Sequence, residues 1–571
     1  MIGVPLRFKT AVALVLLGLL TLLAGIGQKT IWAPAETFTA SAPSDAAKAP
    51  LTVIDQKLRT QQGGTVKINV KGDGNFLLAV GRPDDIAAWV GQTTHNTVTG
   101  ISAKKDALVV EHADGDATAP NPAGSDLWVS TEGASGELQY SWTPPADGEW
   151  SLLLATDGTQ PAPSSISMTF PNDTSTPWAV PLMIIGGLLI LAVIALAIFS
   201  ARKRDGEGNG RGSSRVAQRA RAKTETKSGP RLGMVSGSMA TAAVTAAVMA
   251  GTGLAANAAT TPAPAPTTEP AAAPAQPASP VLLDAQFRRI LEQVSSATDA
   301  GDGAKDAAKL AERVGGTELE VRTQNYKIRS KVGTYEARMP VRSTKLLTTV
   351  VTSDRSWPRS VLAVTQGDGN VVPQLLTLVQ HSARENYKLT ETTPLQPGTT
   401  FPAIDRNSTA TLAANNKDGL LYSGQEALAG LADRLTNPGS GFKDKLVEGA
   451  SSPYIADTLS YQAEVVASGA NGNFSFTHKV VPESTVVFRT ADGGALVMGR
   501  INFGFDGTPK ASGDKLTIGD DAAALAGGRE TTTGMVLNFA ESMAVYVPAA
   551  GSTDPMKLVA ATRGLVGASF K

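Results

Sequence analysis

The chain has 571 residues, enough for three or four structural units. It carries 51 Lys and Arg against 51 Asp and Glu and no cysteine, which excludes disulfides, thiolate metal sites and cysteine nucleophiles. The balanced charge leaves no basic footprint for nucleic acid outside the membrane-flanking loop, and the chain has only four histidines, His95, His112, His381 and His478.

Residues 1–9 contain Arg7 and Lys9 and read as a cytoplasmic N-terminus. No charge follows from Thr10 to Gly27, a length just sufficient to cross a bilayer, so 10–27 is expected to be the first transmembrane helix. A cleavable signal peptide has the same basic start. However, Gln28-Lys29-Thr30-Ile31-Trp32 follows in place of a small-x-small cleavage site, and Trp32 suits a membrane interface.

Residues 50–175 read as an extracytoplasmic antiparallel β-sandwich. Thr65 to Val70 alternates polar and apolar side chains. Gly72-Asp73-Gly74-Asn75 is expected to be a turn before Phe76 to Val80, and further strand patterns recur with Gly, Pro and Asp turns between them. Asp73, Asp84, Asp85 and Asp147 are ordinary turn acids before they are a calcium site.

The stretch 178–200 begins at Trp178 and ends before Arg202-Lys203-Arg204, the pattern of a second transmembrane helix. Residues 201–231 then hold ten Lys and Arg against three acids, a net charge of +7. Cationic loops remain cytoplasmic, which predicts 28–177 outside and 201–231 inside. The apolar, Ala-rich stretch 232–259 is either a third transmembrane helix or an internal signal-like segment cleaved after Ala258. Both readings carry the rest of the chain out, placing 260–571 outside too; a third, a soluble helix with everything downstream cytoplasmic, is disfavoured by the Pro-rich linker that follows. Residues 260–280 alternate Ala and Pro, which favours a stiff polyproline II spacer.

Residues 281–571 are expected to form an extracytoplasmic α+β domain. Leu283, Phe287, Ile290, Leu291 and Val294 mark one face of a helix, and Ala304 to Val314 is expected to be a second. Strands are expected at Leu319–Arg322, Leu346–Thr352, Ser360–Val364, Gln374–Gln380 and Tyr387–Thr393. The order then restarts. Helices are expected at Gln425–Leu435 and Ile455–Val466, and strands at Phe474–Val480, Thr485–Arg489, Ala495–Met498 and Met535–Val547. That restart suggests two similar halves, about 281–410 and 411–571.

Three resemblances attach to these patterns. Tyr140-Ser141-Trp142-Thr143-Pro144-Pro145-Ala146-Asp147-Gly148-Glu149-Trp150-Ser151-Leu152 resembles the closing hairpin of small secreted jelly-roll modules, which implies a sandwich and no particular ligand. The helices-then-strands order after 281 resembles nuclear-transport-factor-like cone folds, which implies a pocket between sheet and helix. The whole layout resembles uncharacterised multi-pass envelope proteins of actinobacteria. That implies the plasma membrane of a Gram-positive bacterium and no activity.

The chain has no Gly-x-Ser-x-Gly elbow, no His-Glu-x-x-His and no phosphate loop, so no catalytic, cofactor or metal residue is expected. His381 sits at a turn, and His478 shares a strand face with Phe474 and Phe476. The one aromatic–cationic cluster is Trp357-Pro358-Arg359, and Trp357 and Arg359 are the candidate contacts for a ligand or partner. The expected function is a non-enzymatic envelope protein that binds a protein partner or an amphiphilic or cell-wall ligand, with membrane lipids around its helices. The alternative is an exported enzyme with a cone-shaped cavity acting on cell-wall lipid or sugar. A cavity holding two carboxylates, or His381 with a carboxylate, would favour the alternative.

Overall fold

The computed structural model describes residues 6–61, 64–146, 148–205, 279–405, 409–451 and 453–571. The basic loop beyond Asp205, the stretch 232–259, the Ala/Pro linker to 278 and Asp147 lie outside the described residues. The chain divides into two compact units. One contains the two long apolar helices, and the other the β-rich region after Pro34 together with the C-terminal region.

In the first unit, helices Leu6–Lys29 and Ala179–Asp205 pack as an antiparallel hairpin. Both are long and apolar enough to cross a membrane. Glycine lets their backbones touch. A methyl group on Gly186 would come within 2.6 Å of the Gly18 carbonyl, and one on Gly25 within 2.7 Å of the Ala179 carbonyl. Helices in lipid associate through such close approach rather than through hydrophobicity.

In the second unit, the N-terminal region is one eight-stranded sheet. Its organising strand is Val66–Gly81. Along one edge it pairs with Ser130–Trp142, and along the other with Ser165–Thr169 and then Ser151–Ala155. The expected turn at Gly72–Asn75 is instead a register break inside this strand, between Lys71 and Asn75. The sheet is not wholly antiparallel, because Leu51–Ile54 runs parallel to His95–Val98.

Both faces of its centre are buried. Ile54, Leu78, Leu152 and Leu154 join Trp142 and Trp150 in one core. The alternate residues Leu51, Ala79, Leu153 and Ala155 join Trp89 and Trp128 in another. This second core is roofed by helix Pro83–Val90, which the strand-like reading of the region had not included. Pro83 at its first turn, Asp84 and Asp85 behind it, and Gly91 after its end supply the helix signals.

The C-terminal region repeats one order twice. Helices Asp284–Ala304 and Gly316–Lys331 precede a sheet of four consecutive strands between Lys345 and Pro394. Helices Gly424–Thr436 and Tyr454–Ser468 precede a second meander, Gly472–Arg489, Ala495–Pro509, Met535–Val547 and Met556–Phe570. Three local expectations change. Leu319–Arg322 lies inside helix Gly316–Lys331, because Glu318, Val321, Arg322 and Asn325 are buried at helical spacing. Between the first two helices there is only a 3-10 turn, Ala307–Leu310. Phe474–Val480 and Thr485–Arg489 are parts of one strand, and Met556–Phe570 is a strand that the sequence reading had not marked.

The boundary near residue 280 separates two regions of sequence but not two bodies. Arg313 pairs with Asp126 at 2.6 Å, and the same carboxylate accepts the Tyr387 amide at 2.8 Å. Arg384 donates to the carbonyls of Trp89 and Val90, both at 2.8 Å. Gln286 donates to the carbonyls of Asp126 and Leu127. Ala383 and Trp357 pack into the apolar core formed by Trp89 and Trp128.

Candidate functional site

The cluster Trp357-Pro358-Arg359 stands at the start of strand Arg359–Gln366, where the β-rich region meets the C-terminal region. Its two candidates take different places. Arg359 is turned inward, with its side chain 1 % exposed, and pairs with Asp85 at 2.7 Å. Its Nε and Nη2 donate to the Arg355 carbonyl. Burial raises the Asp85 carboxyl above its ordinary range, against the pull of Arg359. Arg355 in turn pairs with Asp84 at 2.7 Å. The partner of Arg359 is therefore the chain's own N-terminal region, and its guanidinium is spoken for. Trp357 remains half-buried, stacked 3.8 Å from Arg359 and donating from Nε1 to Gln380.

Trp357 forms one wall of a cleft of about 810 Å³ between the two halves of the C-terminal region. One side is built by Trp357, His381, Thr390 and Glu391, and the other by Leu412, Val481 and Val487 with Ser484 and Arg500. Apolar and polar side chains therefore share its lining.

Glu391 is the residue that stands out in this cleft. It lies on strand Lys388–Pro394 just after a register shift in its pairing with Gln374–Gln380, the kind of irregularity that re-aims a side chain. It is 3 % exposed. Neither carboxylate oxygen makes a hydrogen bond of ordinary geometry among the described residues. Burial, followed by the nearby charge of Glu318, pushes its carboxyl up to about 8, and Arg500 and the Thr317 hydroxyl only partly offset this. Glu318 has the opposite environment. Arg322 and Thr392 each hold it at 2.6 Å, and Arg322 leads the influences that keep it ionised against the cost of its burial. Of two neighbouring buried carboxylates, one is compensated and the other is not. That arrangement drives their acidities apart.

His381 is exposed on the same cleft, and no hydrogen bond joins it to Glu391 or to any other described side chain.

A second titratable cluster fills the space between helix Tyr454–Ser468 and the second sheet, where a cone fold would keep its pocket. Glu541, fully buried, accepts hydrogen bonds from Tyr454 at 2.9 Å and from Arg563 Nε at 2.8 Å. Arg563 also reaches the Thr458 hydroxyl. His478 stacks on Phe503 and meets the Thr436 hydroxyl at 3.0 Å through Nδ1. Because that hydroxyl already donates to the Ala432 carbonyl, Nδ1 carries the proton and Nε2 is bare. Nε2 lies 3.7 Å from Glu541 Oε2. Burial, then Arg563, pushes His478 down to about 3, and burial raises Glu541. The contact is thus a neutral imidazole beside a carboxyl, not an ion pair. His478 belongs to the packed interior, on the face it shares with Phe474 and Phe476.

Sequence reasoning marked Trp357 but not Glu391, whose only local signal is an acid amid Thr390, Thr392 and Thr393 in a strand. Among the described residues, no group of three or more His, Asp or Glu is placed to hold a metal ion.

The model of one protein family, described as a domain of unknown function (DUF8094), matches residues 278–569, about half of the chain. No curated protein and no solved structure matches.

Proposed function

The chain belongs to the DUF8094 family, and we propose that it is a membrane-anchored, extracytoplasmic binding protein of the cell envelope. Its ligand, on this reading, is amphiphilic and occupies the cleft beside Trp357 and Glu391. The observation that carries the reading is Glu391. An enclosed carboxyl that Arg500 and the Thr317 hydroxyl offset only in part is costly, and a ligand group in the cleft that draws it out by a small side-chain rotation would supply the missing hydrogen bonds. The mixed lining, with Trp357, Leu412, Val481 and Val487 beside Arg500 and Ser484, suits an apolar body with a polar head.

The topology has independent support. The basic loop favours a cytoplasmic connection after Asp205. Residues 34–173 and 279–571 share the ion pairs Arg359–Asp85 and Arg313–Asp126, which supports assigning them to one compartment. If helices Leu6–Lys29 and Ala179–Asp205 both cross the membrane, the chain has to cross again between them and residue 279. The uncharged stretch 232–259 is the segment suited to it. Cleavage after Ala258 would leave the C-terminal region held by the same contacts.

The test is to purify the full-length protein from its native membrane and compare bound small molecules by native mass spectrometry. The wild type is expected to carry a ligand that Trp357→Ala and Glu391→Gln both lose. Identical occupancy in all three proteins would contradict the reading.

One observation favours the enzymatic alternative, that His381 and Glu391 line the same cleft. A general base needs an orienting partner, and His381 has none among the described residues. His381→Ala is expected to leave any phenotype of the gene intact. Loss of that phenotype in a stable His381→Ala protein would shift the assignment to acid–base chemistry on an envelope lipid or sugar.

A further inference from the structure

The cleft beside Trp357 has a charge as well as a shape. Three acidic residues lie on its wall: Asp354 ahead of strand Arg359–Gln366, Glu391 on strand Lys388–Pro394, and Glu483 within strand Gly472–Arg489. Neutral donors hold Asp354. It accepts from the Ser356 amide at 3.0 Å, the Ser356 hydroxyl at 2.7 Å and the Thr411 hydroxyl at 3.2 Å. The Ser356 hydroxyl, then the Ser356 amide, draws the Asp354 carboxyl below its ordinary range, so its negative charge is present in the cleft. Glu483 is exposed.

Among the described residues, Arg500 is the one arginine or lysine on the wall, and it does not balance these acids. It pairs with Glu320 at 2.5 Å and donates to Asn502 at 2.6 Å. The one histidine of the wall, His381, is exposed and makes no hydrogen bond to any of the three. A concave, partly enclosed surface of one sign concentrates the opposite charge. This cleft therefore favours a cation and disfavours carboxylates, phosphates and sulfates.

Surface acids alone would attract any cation and select none. Glu391 adds the selection. It is 3 % exposed, makes no hydrogen bond of ordinary geometry among the described residues, and is offset only in part by Arg500. What it lacks is hydrogen bonds, so the cation that suits it brings N–H donors. A primary ammonium group has three. Once a small rotation brings the carboxyl to it, the ammonium takes the place of the carboxyl proton, which leaves to solvent. Trp357, Leu412 and Val487 then face the apolar body that carries the head group. One face of the Trp357 ring is already covered by Arg359 at 3.8 Å, so this ring serves as an apolar wall.

We propose that the amphiphile taken by this cleft carries a primary ammonium head group, held by Glu391 with Asp354 and Glu483 on the same wall. This selectivity rests on the reading of the cleft as an amphiphile site, and adds the sign and the donors of the head group.

The full-length protein in a neutral detergent is titrated by calorimetry with four probes that share one tail: hexylammonium, hexyltrimethylammonium, hexanol and hexanoate. Protein-free micelles serve as the blank. Hexylammonium is expected to bind most tightly and hexanoate least. Glu391→Gln is expected to weaken hexylammonium roughly tenfold or more, the scale of a hydrogen bond between charged groups, and to leave hexanol within about twofold. Glu483→Gln, at an exposed position, is expected to weaken it by roughly a few-fold. Hexanol or hexanoate binding as tightly as hexylammonium, and weakened by Trp357→Ala, would overturn the ammonium head group and leave the amphiphile site standing. Hexyltrimethylammonium binding as tightly as hexylammonium would overturn the need for N–H donors. A preference for hexylammonium unchanged in both Glu391→Gln and Glu483→Gln would overturn the site, and binding of none of the four would overturn the amphiphile reading with it.

Discussion

At the scale of the residue, the chemistry concentrates where burial and charge disagree. Glu391 is held up to about 8 in the fold, while an unfolded chain releases the same proton near 4.5. Between those values the folded state binds one proton more than the unfolded state, so stability falls as pH rises through this window and is level above it. Glu391→Gln removes the titration. Its melting temperature is expected to exceed the wild type's at pH 8, by an amount on the order of a few kcal/mol in stability, and to converge with it near pH 4.5. Parallel melting curves at both pH values would contradict this account of Glu391.

Arg359 shows why half of the candidate pair was legible. Its stacking on Trp357 is local and follows from two residues of sequence. Its true partner, Asp85, lies in a different region of sequence, and no local pattern announces it. Glu391 was invisible for a related reason. Its isolation is defined by what surrounds it in space, not by its neighbours in the chain.

At the scale of the element, periodicity was a sound guide where the buried face is apolar, as in helix Asp284–Ala304 with Phe287, Ile290, Leu291 and Val294. It misled where that face is polar. Helix Gly316–Lys331 buries Glu318 and Arg322 as an ion pair at 2.6 Å, and a hydrophobic count cannot register such a face. The first long apolar helix is the element with two readings, retained anchor or cleaved signal. Its close packing on helix Ala179–Asp205, through Gly18, Gly25 and Gly186, favours retention. An epitope tag placed ahead of Leu6 is expected to stay on the mature protein in the membrane fraction, read by immunoblot. Loss of the tag from the mature protein would mean that the first helix is removed.

At the scale of the whole molecule, the sequence suggests beads on a string, and the fold joins two of the beads. The Pro-rich stretch before residue 280 looks like a spacer to an independent domain, yet Arg313, Arg359 and Arg384 all depend on the N-terminal region for their partners. Removing one side of a buried ion pair costs roughly 3–5 kcal/mol, because the charge left behind is unsolvated. Residues 279–571 expressed alone are therefore expected to unfold at lower temperature than the same fragment co-expressed with 34–173, and Arg359→Ala should reproduce part of that loss in the full chain. Equal melting temperatures for the free and co-expressed fragment would show that the interface is incidental.

The proposed topology puts these two regions, as one body, on the outer side of the membrane, which requires a third crossing between them. The most direct measurement is labelling of single cysteines in intact cells with a membrane-impermeant maleimide, at Lys104→Cys in the first region and Val371→Cys in the second, both at exposed positions. Both are expected to label before the cells are opened, and Ser213→Cys only afterwards. Labelling of Lys104→Cys in intact cells with Val371→Cys protected until permeabilisation would contradict the account.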